Sequence, residues 1–215
     1  VVVGMGFTFD NESSSSSANS IESMRSLIRT NAKNAHRIKP YIGGEEVNSS
    51  ADHAHRRYIF NLTDLNEEDG WSKFPDLMRI AKERVLPERE EANRKKPSKD
   101  KEKRQTFWWK FARHNHQLYS GASLFESVLV VPRVSNTLGF TFINSDAVFS
   151  VDLIVFILRE KSFCILQSRA HEVWARLFSS AMKDDLRYTP TDCFQTFPFP
   201  ENWEENEALE AIGQR

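Results

Sequence analysis

The stretch at residues 127–157, SVLVVPRVSNTLGFTFINSDAVFSVDLIVFI, decides the fold class of this 215-residue chain. It contains three runs rich in β-branched and aromatic residues, at 127–135, 138–144 and 147–157, separated by Asn, Ser and Gly residues. Short runs of this composition between turn residues are typical of consecutive antiparallel β-strands. We therefore predict a central antiparallel β-meander.

Helical periodicity flanks the predicted meander on both sides. Upstream, apolar residues recur at helical spacing after Pro75, at Leu77, Ile80, Ala81 and Val85. Downstream, one long amphipathic helix is predicted from Glu160 to about Ala181, with an apolar stripe made of Phe163, Leu166, Ala170, Val173, Trp174, Leu177 and Phe178. On its other face, Arg169, Glu172 and Arg176 would form ion pairs. The predicted fold class is α+β, with helices flanking the meander.

The composition is that of a soluble protein with a substantial core, at 40% hydrophobic and 27% charged residues. Cys164 and Cys193 have no metal or redox spacing, so we interpret them as reduced thiols of a cytoplasmic protein. There is no signal peptide, and the longest apolar run, 148–158, is too short to span a membrane. Because the chain opens VVVGMGFTFD without an initiator Met, we expect it to be part of a longer protein.

A basic segment interrupts a chain whose net charge is only −1. Residues 89–113 hold ten Lys or Arg against four acids, a local charge of +6, and Phe107, Trp108 and Trp109 lie within them. Since KKPSKDKEKR has no apolar face, we expect residues 88–106 to form a mobile, solvated loop. Cations beside aromatic residues suit a phosphate backbone, and a solvated linker explains them equally well.

Motifs for catalysis or metal binding are weak. The tripeptide HNH at 114–116 is contiguous, whereas the nuclease family of that name spreads these residues over a larger unit. In the stretch Asp52-His53-Ala54-His55, the alternate histidines could bind a metal from one side of a strand, but no third ligand lies at useful spacing. We therefore predict no catalytic residue and no metal site in this chain, and a stand-alone nuclease is disfavoured.

Several segments together resemble the C-terminal part of single-chain DNA adenine methyltransferases. These are type IIG restriction-modification enzymes of the MmeI-like kind and their relatives in phage defence. The similarity covers nearly the whole chain, and the ending RYTPTDCFQTFPFP is its most distinctive piece. The other segments are RIKPYIGGEEVN, RYIFNL, PDLMRIAKERVLPER, FWWKFA, LVVPRVS and LQSRAHEVWARLFSSAMKDDLRYTPTDCF.

The resemblance implies a sequence-specific recognition domain for double-stranded DNA, inert alone. In the family, the S-adenosylmethionine pocket and catalytic loop lie upstream, so this fragment would hold no cofactor. RIKPYIGGEEVN would be the joint with the catalytic domain: its glycines would allow a tight turn and its acids would cap or bridge. We expect residues 1–56 to join the absent domain, 57–200 to form the recognition domain and 201–215 to form an acidic helix.

The family's base-reading residues lie between the long helix and the Arg-Tyr element, and in loops of the meander. The matching candidates here are Lys183, Asp185, Arg187, Arg133, Ser135 and Asn136. In an extended chain, Lys183, Asp185 and Arg187 would share one direction. Lys and Arg read guanine, and Asp reads the cytosine amine. Alternatively, Asp185 and Arg187 form a structural pair.

Phosphate contacts would come from the basic segment. The candidates are Arg94, Lys95, Lys96, Lys99, Lys101, Lys103, Arg104, Lys110 and Arg113. The alternative function is a protein–protein interaction module whose aromatic and proline-rich end docks protein. Salt-dependent DNA binding would separate the two hypotheses.

Overall fold

The structure, a computed structural model, describes residues 4–50, 52–182 and 185–213. The α-helices are α1 (Ile21–Thr30), α2 (Gly44–Ser49), α3 (Glu67–Lys73), α4 (Pro75–Ile80), α5 (Leu86–Lys95), α6 (Lys99–Thr106), α7 (His116–Ala122), α8 (Glu160–Leu166), α9 (Arg169–Phe178) and α10 (Glu207–Gly213). The strands are β1 (Thr8–Phe9), β2 (Ile38–Ile42), β3 (Arg57–Phe60), β4 (Ser127–Pro132), β5 (Val134–Ser135), β6 (Thr141–Asn144), β7 (Val148–Phe149), β8 (Leu153–Phe156), β9 (Ser180–Met182) and β10 (Asp185–Arg187). The α+β class is confirmed.

The chain forms two compact units. The first comprises residues 1–41 and 55–115, and the second comprises 42–54 and 116–215. In the first unit, β3 pairs antiparallel with β1 and β2. Its core contains buried aromatic and aliphatic side chains, among them Phe7, Phe60, Leu77, Met78 and Trp109.

The second unit contains the strands that the sequence predicted. β4 lies in the middle of its sheet and pairs antiparallel with β6 on one side and β8 on the other. The order β6–β4–β8 departs from a simple meander, in which β8 would pair with β6. Val128 and Val130 pack into one hydrophobic cluster, and Leu129 and Val131 pack into another. Because both faces of β4 are covered, its sequence is a continuous apolar run.

A second small sheet in this unit has the order β5–β10–β9. Leu186 pairs with Ser135 on β5 and with Ala181 on β9. Leu186 and Tyr188 are buried in the same cluster as Leu129 and Val131. Core packing therefore fixes β10 in position.

The prediction of one continuous helix from Glu160 to about Ala181 is wrong. The helical segment is broken into α8 and α9 at Gln167 and Ser168. The hydroxyl of Ser168 accepts a hydrogen bond from the backbone N–H of His171, which is N-terminal capping. The Gln167 side chain turns away to bond the backbone of Leu138 and Phe140. The predicted ion pairs of Glu172 with Arg169 and Arg176 are confirmed.

The basic segment 88–106 is not the loop that its composition predicted. It forms α5 and α6, which pack against each other as a hairpin. Ion pairs one helical turn apart, Glu91–Lys95 and Asp100–Arg104, support these polar helices. The Ser98 hydroxyl caps α6 by accepting from the N–H of Lys101. Local charge pairing and capping thus replace the missing apolar face.

Candidate functional site

Strand β10 presents an acid and a base side by side. Asp185 and Arg187 are exposed, while Leu186 between them is buried. This alternation gives both charged side chains one direction, as expected for an extended strand. The described residues contain no ion pair between Asp185 and Arg187, so the structural-pair alternative has no support. Lys183 lies outside the described residues.

Strand β5 brings the remaining candidates beside β10, because Val134 pairs with Arg187. Arg133 is half-buried, and its Nε donates to the carbonyl of Val151 at 3.3 Å. Asn136 is exposed, and its carbonyl accepts from Arg176 at 3.2 Å. Two neighbouring strands of one small sheet therefore bring four candidates together: Arg133, Asn136, Asp185 and Arg187.

Ser135 differs from these neighbours because its hydroxyl is already used. It is buried, donates to Oδ1 of Asn48 at 3.1 Å and accepts from the N–H of Thr137 at 3.3 Å. A hydroxyl has one proton to donate, so Ser135 has no free donor for a ligand. Nδ2 of Asn48 donates to no atom of the described residues, so its protons are available at this point.

Sequence reasoning missed Asn48, which lies in the stretch interpreted as a joint. That stretch forms β2 and α2, and Glu46 accepts from the N–H of Gly43 at 2.9 Å, which confirms the capping role of an acid. None of the described glycines has a positive φ, so the turn at Gly43 and Gly44 does not use the left-handed conformation. Gly44, Glu45, Asn48, Arg133, Val134 and Asp152 line a cavity of about 280 Å³.

A buried pair of side chains, Tyr188 and His171, lies at the end of β10. Tyr188 follows Arg187 directly, and its hydroxyl lies 3.0 Å from Nε2 of His171 on α9. Both side chains are fully buried. Burial lowers the pKa of His171 to about 4 and raises the pKa of Tyr188. The imidazole is therefore neutral at physiological pH, and the pair fixes the end of the strand.

Eight of the nine basic candidates of the first unit fall into two groups, according to whether their charged groups already have a partner. Arg94 and Lys95 pair with Glu91, Arg104 pairs with Asp100, and Lys101 donates to backbone carbonyls. The second group is exposed and makes no ion pair within the described ranges; it comprises Lys96, Lys99, Lys103 and Arg113. The Lys110 ammonium lies 5.8 Å from the ring centroids of both Phe107 and Trp109. Seven of the nine cationic candidates thus lie on the helical hairpin or its connection, and Lys110 and Arg113 follow α6.

No group of three His, Cys, Asp or Glu side chains in the described part of the chain could hold a metal ion. No described helix combines the length and apolarity needed to cross a membrane.

Side chains carried by a packed strand are held more precisely than side chains on a loop, and Asp185 and Arg187 are carried in this way. The family model described as "MmeI, target recognition domain" matches residues 16–201. The chain therefore belongs to the family of MmeI target recognition domains. The resemblance predicted from the sequence is confirmed.

A solved structure has the same fold. It is described as the type IIL restriction-modification enzyme MmeI in complex with DNA, and it matches with a TM-score of 0.71 at 17% sequence identity. The match covers 97% of this chain and 25% of that chain, so this chain spans about a quarter of the solved enzyme. Among curated protein sequences, none matches this chain.

Proposed function

We propose that this chain reads a specific base sequence in double-stranded DNA as the target recognition domain of a restriction-modification enzyme. The match of the family model to residues 16–201 carries this proposal. The fold shared with MmeI, which was solved with DNA, supports it. Recognition needs rigidly held polar side chains, and β10 offers Asp185 and Arg187 in that form.

Base reading would come from the sheet β5–β10–β9. Arg187 can donate two hydrogen bonds to guanine, and Asp185 can accept one from the cytosine amine, each worth about 1–3 kcal/mol of discrimination. Arg133, Asn136 and Lys183 remain candidates. Ser135 remains a candidate only through its lone pairs, because its proton is directed to Asn48. Asn48 would replace it as a donor.

Docking on the phosphate backbone would come from the α5–α6 hairpin and the segment directly after it. The exposed cations Lys96, Lys99, Lys103 and Arg113 are the first candidates, because no described acid pairs with them. Arg94, Lys95, Lys101, Arg104 and Lys110 would contribute by exchanging or sharing their present partners. Each neutralised phosphate releases counterions, which makes the binding dependent on salt.

The parent protein is proposed to be an S-adenosylmethionine-dependent DNA adenine methyltransferase of the type IIG kind, with or without endonuclease activity. Its cofactor pocket and catalytic loop would lie in an upstream domain, to which residues 1–56 would join this chain. No residue of this chain is assigned to S-adenosylmethionine. The proposed location of the enzyme is the cytoplasm.

The test is the salt dependence of DNA binding by the full-length parent. We expect log K to fall linearly with log salt, with a slope of about −0.9 for each phosphate contacted. Replacing Lys96, Lys99 and Lys103 together with Gln would make that slope less negative, while replacing the exposed Lys33 with Gln would not. A slope near zero for the wild type would refute DNA docking.

A protein-binding role is the second candidate, and one observation favours it. On α9, Val173, Leu177 and Phe178 are 53%, 72% and 45% exposed, although the sequence placed them in a buried stripe. The buried residues of that helix are His171 and Ala175. Such an exposed apolar face is typical of contact surfaces. Salt-independent association with protein, without DNA binding, would favour this role.

A further inference from the structure

A cavity of about 250 Å³ lies beside the α5–α6 hairpin in the first unit. Its lining includes three cationic side chains, Arg89, Lys101 and Arg104, and one acid, Glu88. The lining therefore carries a formal surplus of two positive charges. At about 30 Å³ for each water molecule, the cavity has room for roughly eight water-sized groups.

Arg89 is a buried cation without a carboxylate partner in the described chain. Its guanidinium donates to the carbonyl oxygens of Arg104 at 2.7 Å, Phe107 at 3.0 Å and Lys110 at 2.7 Å. Burial and the neighbouring charge of Arg104 lower the pKa of Arg89 to about 10. A buried charge that has only dipoles as partners is unfavourable, and an anion nearby would stabilise it.

The guanidinium of Arg104 has one buried N–H without a hydrogen-bond partner in the described part of the chain. A terminal nitrogen pairs with Asp100, and the buried N–H is that of Nε. A buried donor without a partner loses the free energy of its hydration. Because Nε itself has no exposed surface, a ligand in the cavity would reach Arg104 through its terminal nitrogens, and the side chain as a whole is 27% exposed.

Lys101 completes the donor set. Its ammonium donates to the carbonyls of Ala92 and Lys96 at 2.8 Å each, which holds it at the C-terminal end of α5. An ammonium has three protons, so one remains for a ligand. Two guanidinium groups and an ammonium around one space match the several acceptor oxygens of a phosphate.

We propose that this cavity binds one phosphate group. Arg104 and Lys101 would donate to the phosphate oxygens, and the positive charge of the buried Arg89 would stabilise the bound anion. The inference rests on the proposed function in one respect: the phosphate is a phosphodiester of the DNA backbone. Glu88 opposes the anion, as does Asp100, which pairs with Arg104, and the three cations still outnumber these two acids.

The first arm of the test uses inorganic phosphate with the full-length parent, and thermal unfolding reports binding. We expect Arg104→Gln to weaken phosphate binding about tenfold, because one charge-assisted donor is lost. The backbone carbonyl of Arg104 remains for Arg89, so the hairpin should stay folded. Arg25→Gln, on the exposed face of α1, is the matched control and should bind phosphate as the wild type does. Equal binding by Arg104→Gln and wild type would overturn the site.

The second arm measures DNA binding against salt and distinguishes the sources of phosphate. We expect Arg104→Gln to make the slope of log K against log salt about 0.9 less negative, and Arg25→Gln to leave it unchanged. Weakened binding of free phosphate with an unchanged DNA slope would overturn the assignment to DNA. If the wild type binds no DNA while phosphate binding still depends on Arg104, the proposed function fails and the phosphate site stands. Should Arg104→Gln not fold, Lys101→Gln tests the same donor set.

Discussion

At the scale of single residues, β10 couples the core to the candidate reading surface. Leu186 is buried in the same cluster as Tyr188, and its two neighbours on the strand are exposed. Tyr188 in turn contacts His171 on α9. Packing of Leu186 and Tyr188 therefore orients Asp185 and Arg187, whose charged groups form no ion pair with each other in the described part of the chain.

Tyr188→Phe should destabilise the protein by about 1–3 kcal/mol. The change removes the hydroxyl and leaves Nε2 of the buried His171 without its partner. Chemical unfolding of the purified protein measures the loss. Tyr58→Phe, on a half-buried tyrosine of the other unit, should change the free energy of unfolding by less than about 0.5 kcal/mol. Equal stability of Tyr188→Phe and wild type would show that the hydrogen bond contributes nothing.

His171 predicts a pH dependence of stability. Its pKa is about 4 in the folded state and about 6.5 in the unfolded state, so the unfolded state binds more protons between these values. The free energy of unfolding should therefore fall as the pH is lowered from about 6.5 to about 4. His171→Gln should remove this component of the pH dependence. A variant with the same pH profile as the wild type would contradict the assignment.

The sequence predicted the direction of Asp185 and Arg187, because alternation along a strand is a local property. It could not predict the contact between Ser135 and Asn48, which are 87 positions apart in the chain. Asn48 carried one signal, a polar side chain two residues after an acidic cap. That signal becomes interpretable only once α2 is folded beside β5.

At the scale of elements, one buried side chain helps to hold the α5–α6 hairpin. Arg89 on α5 joins the carbonyls of Arg104, Phe107 and Lys110, which lie on α6 and the aromatic segment after it. Local ion pairs on exposed helices contribute only about 0.3–0.5 kcal/mol each. Arg89 therefore joins α5 to α6 and to the segment after it, beside the Lys101–Ala92 and Asn93–Gln105 hydrogen bonds between the two helices.

Arg89→Gln should destabilise the first unit by about 2–4 kcal/mol, because up to three buried carbonyls lose a donor. Urea unfolding, followed by the fluorescence of the tryptophans, measures the change. Lys103→Gln removes an exposed charge from the same hairpin and should lie within about 0.5 kcal/mol of the wild type. Equal stability of both variants would show that Arg89 does not hold the hairpin.

What the sequence could predict about the elements depends on how far apart in the chain the interacting residues lie. β4 was predictable because a continuous apolar run reflects burial of both its faces. The hairpin was not, since hydrophobic periodicity cannot reveal helices held by charge pairs and a buried Arg. The break between α8 and α9 was missed because an apolar stripe continued past Ser168, whose hydroxyl caps the N-terminus of a new helix.

At the scale of the whole molecule, the chain has the organisation of a recognition module. One unit holds the cationic hairpin, and the other holds the sheet with the candidate base-reading side chains. The family was predictable because its ordered segments extend over nearly the entire sequence, and the family model matches residues 16–201. Which base each side chain reads was not predictable, since that depends on the bound geometry of DNA.

The most direct test of DNA reading is the methylome of a host that expresses the full-length parent. Wild type is compared with Asp185→Ala, and Glu126→Ala, an exposed acid before β4, is the control. We predict a modified-adenine motif that relaxes or changes at one base pair in Asp185→Ala and is unchanged in Glu126→Ala. The same motif in all three strains, with Asp185→Ala lowering only the level of methylation, would contradict base reading by β10. Absence of modified adenine in the wild-type host would contradict the methyltransferase assignment itself.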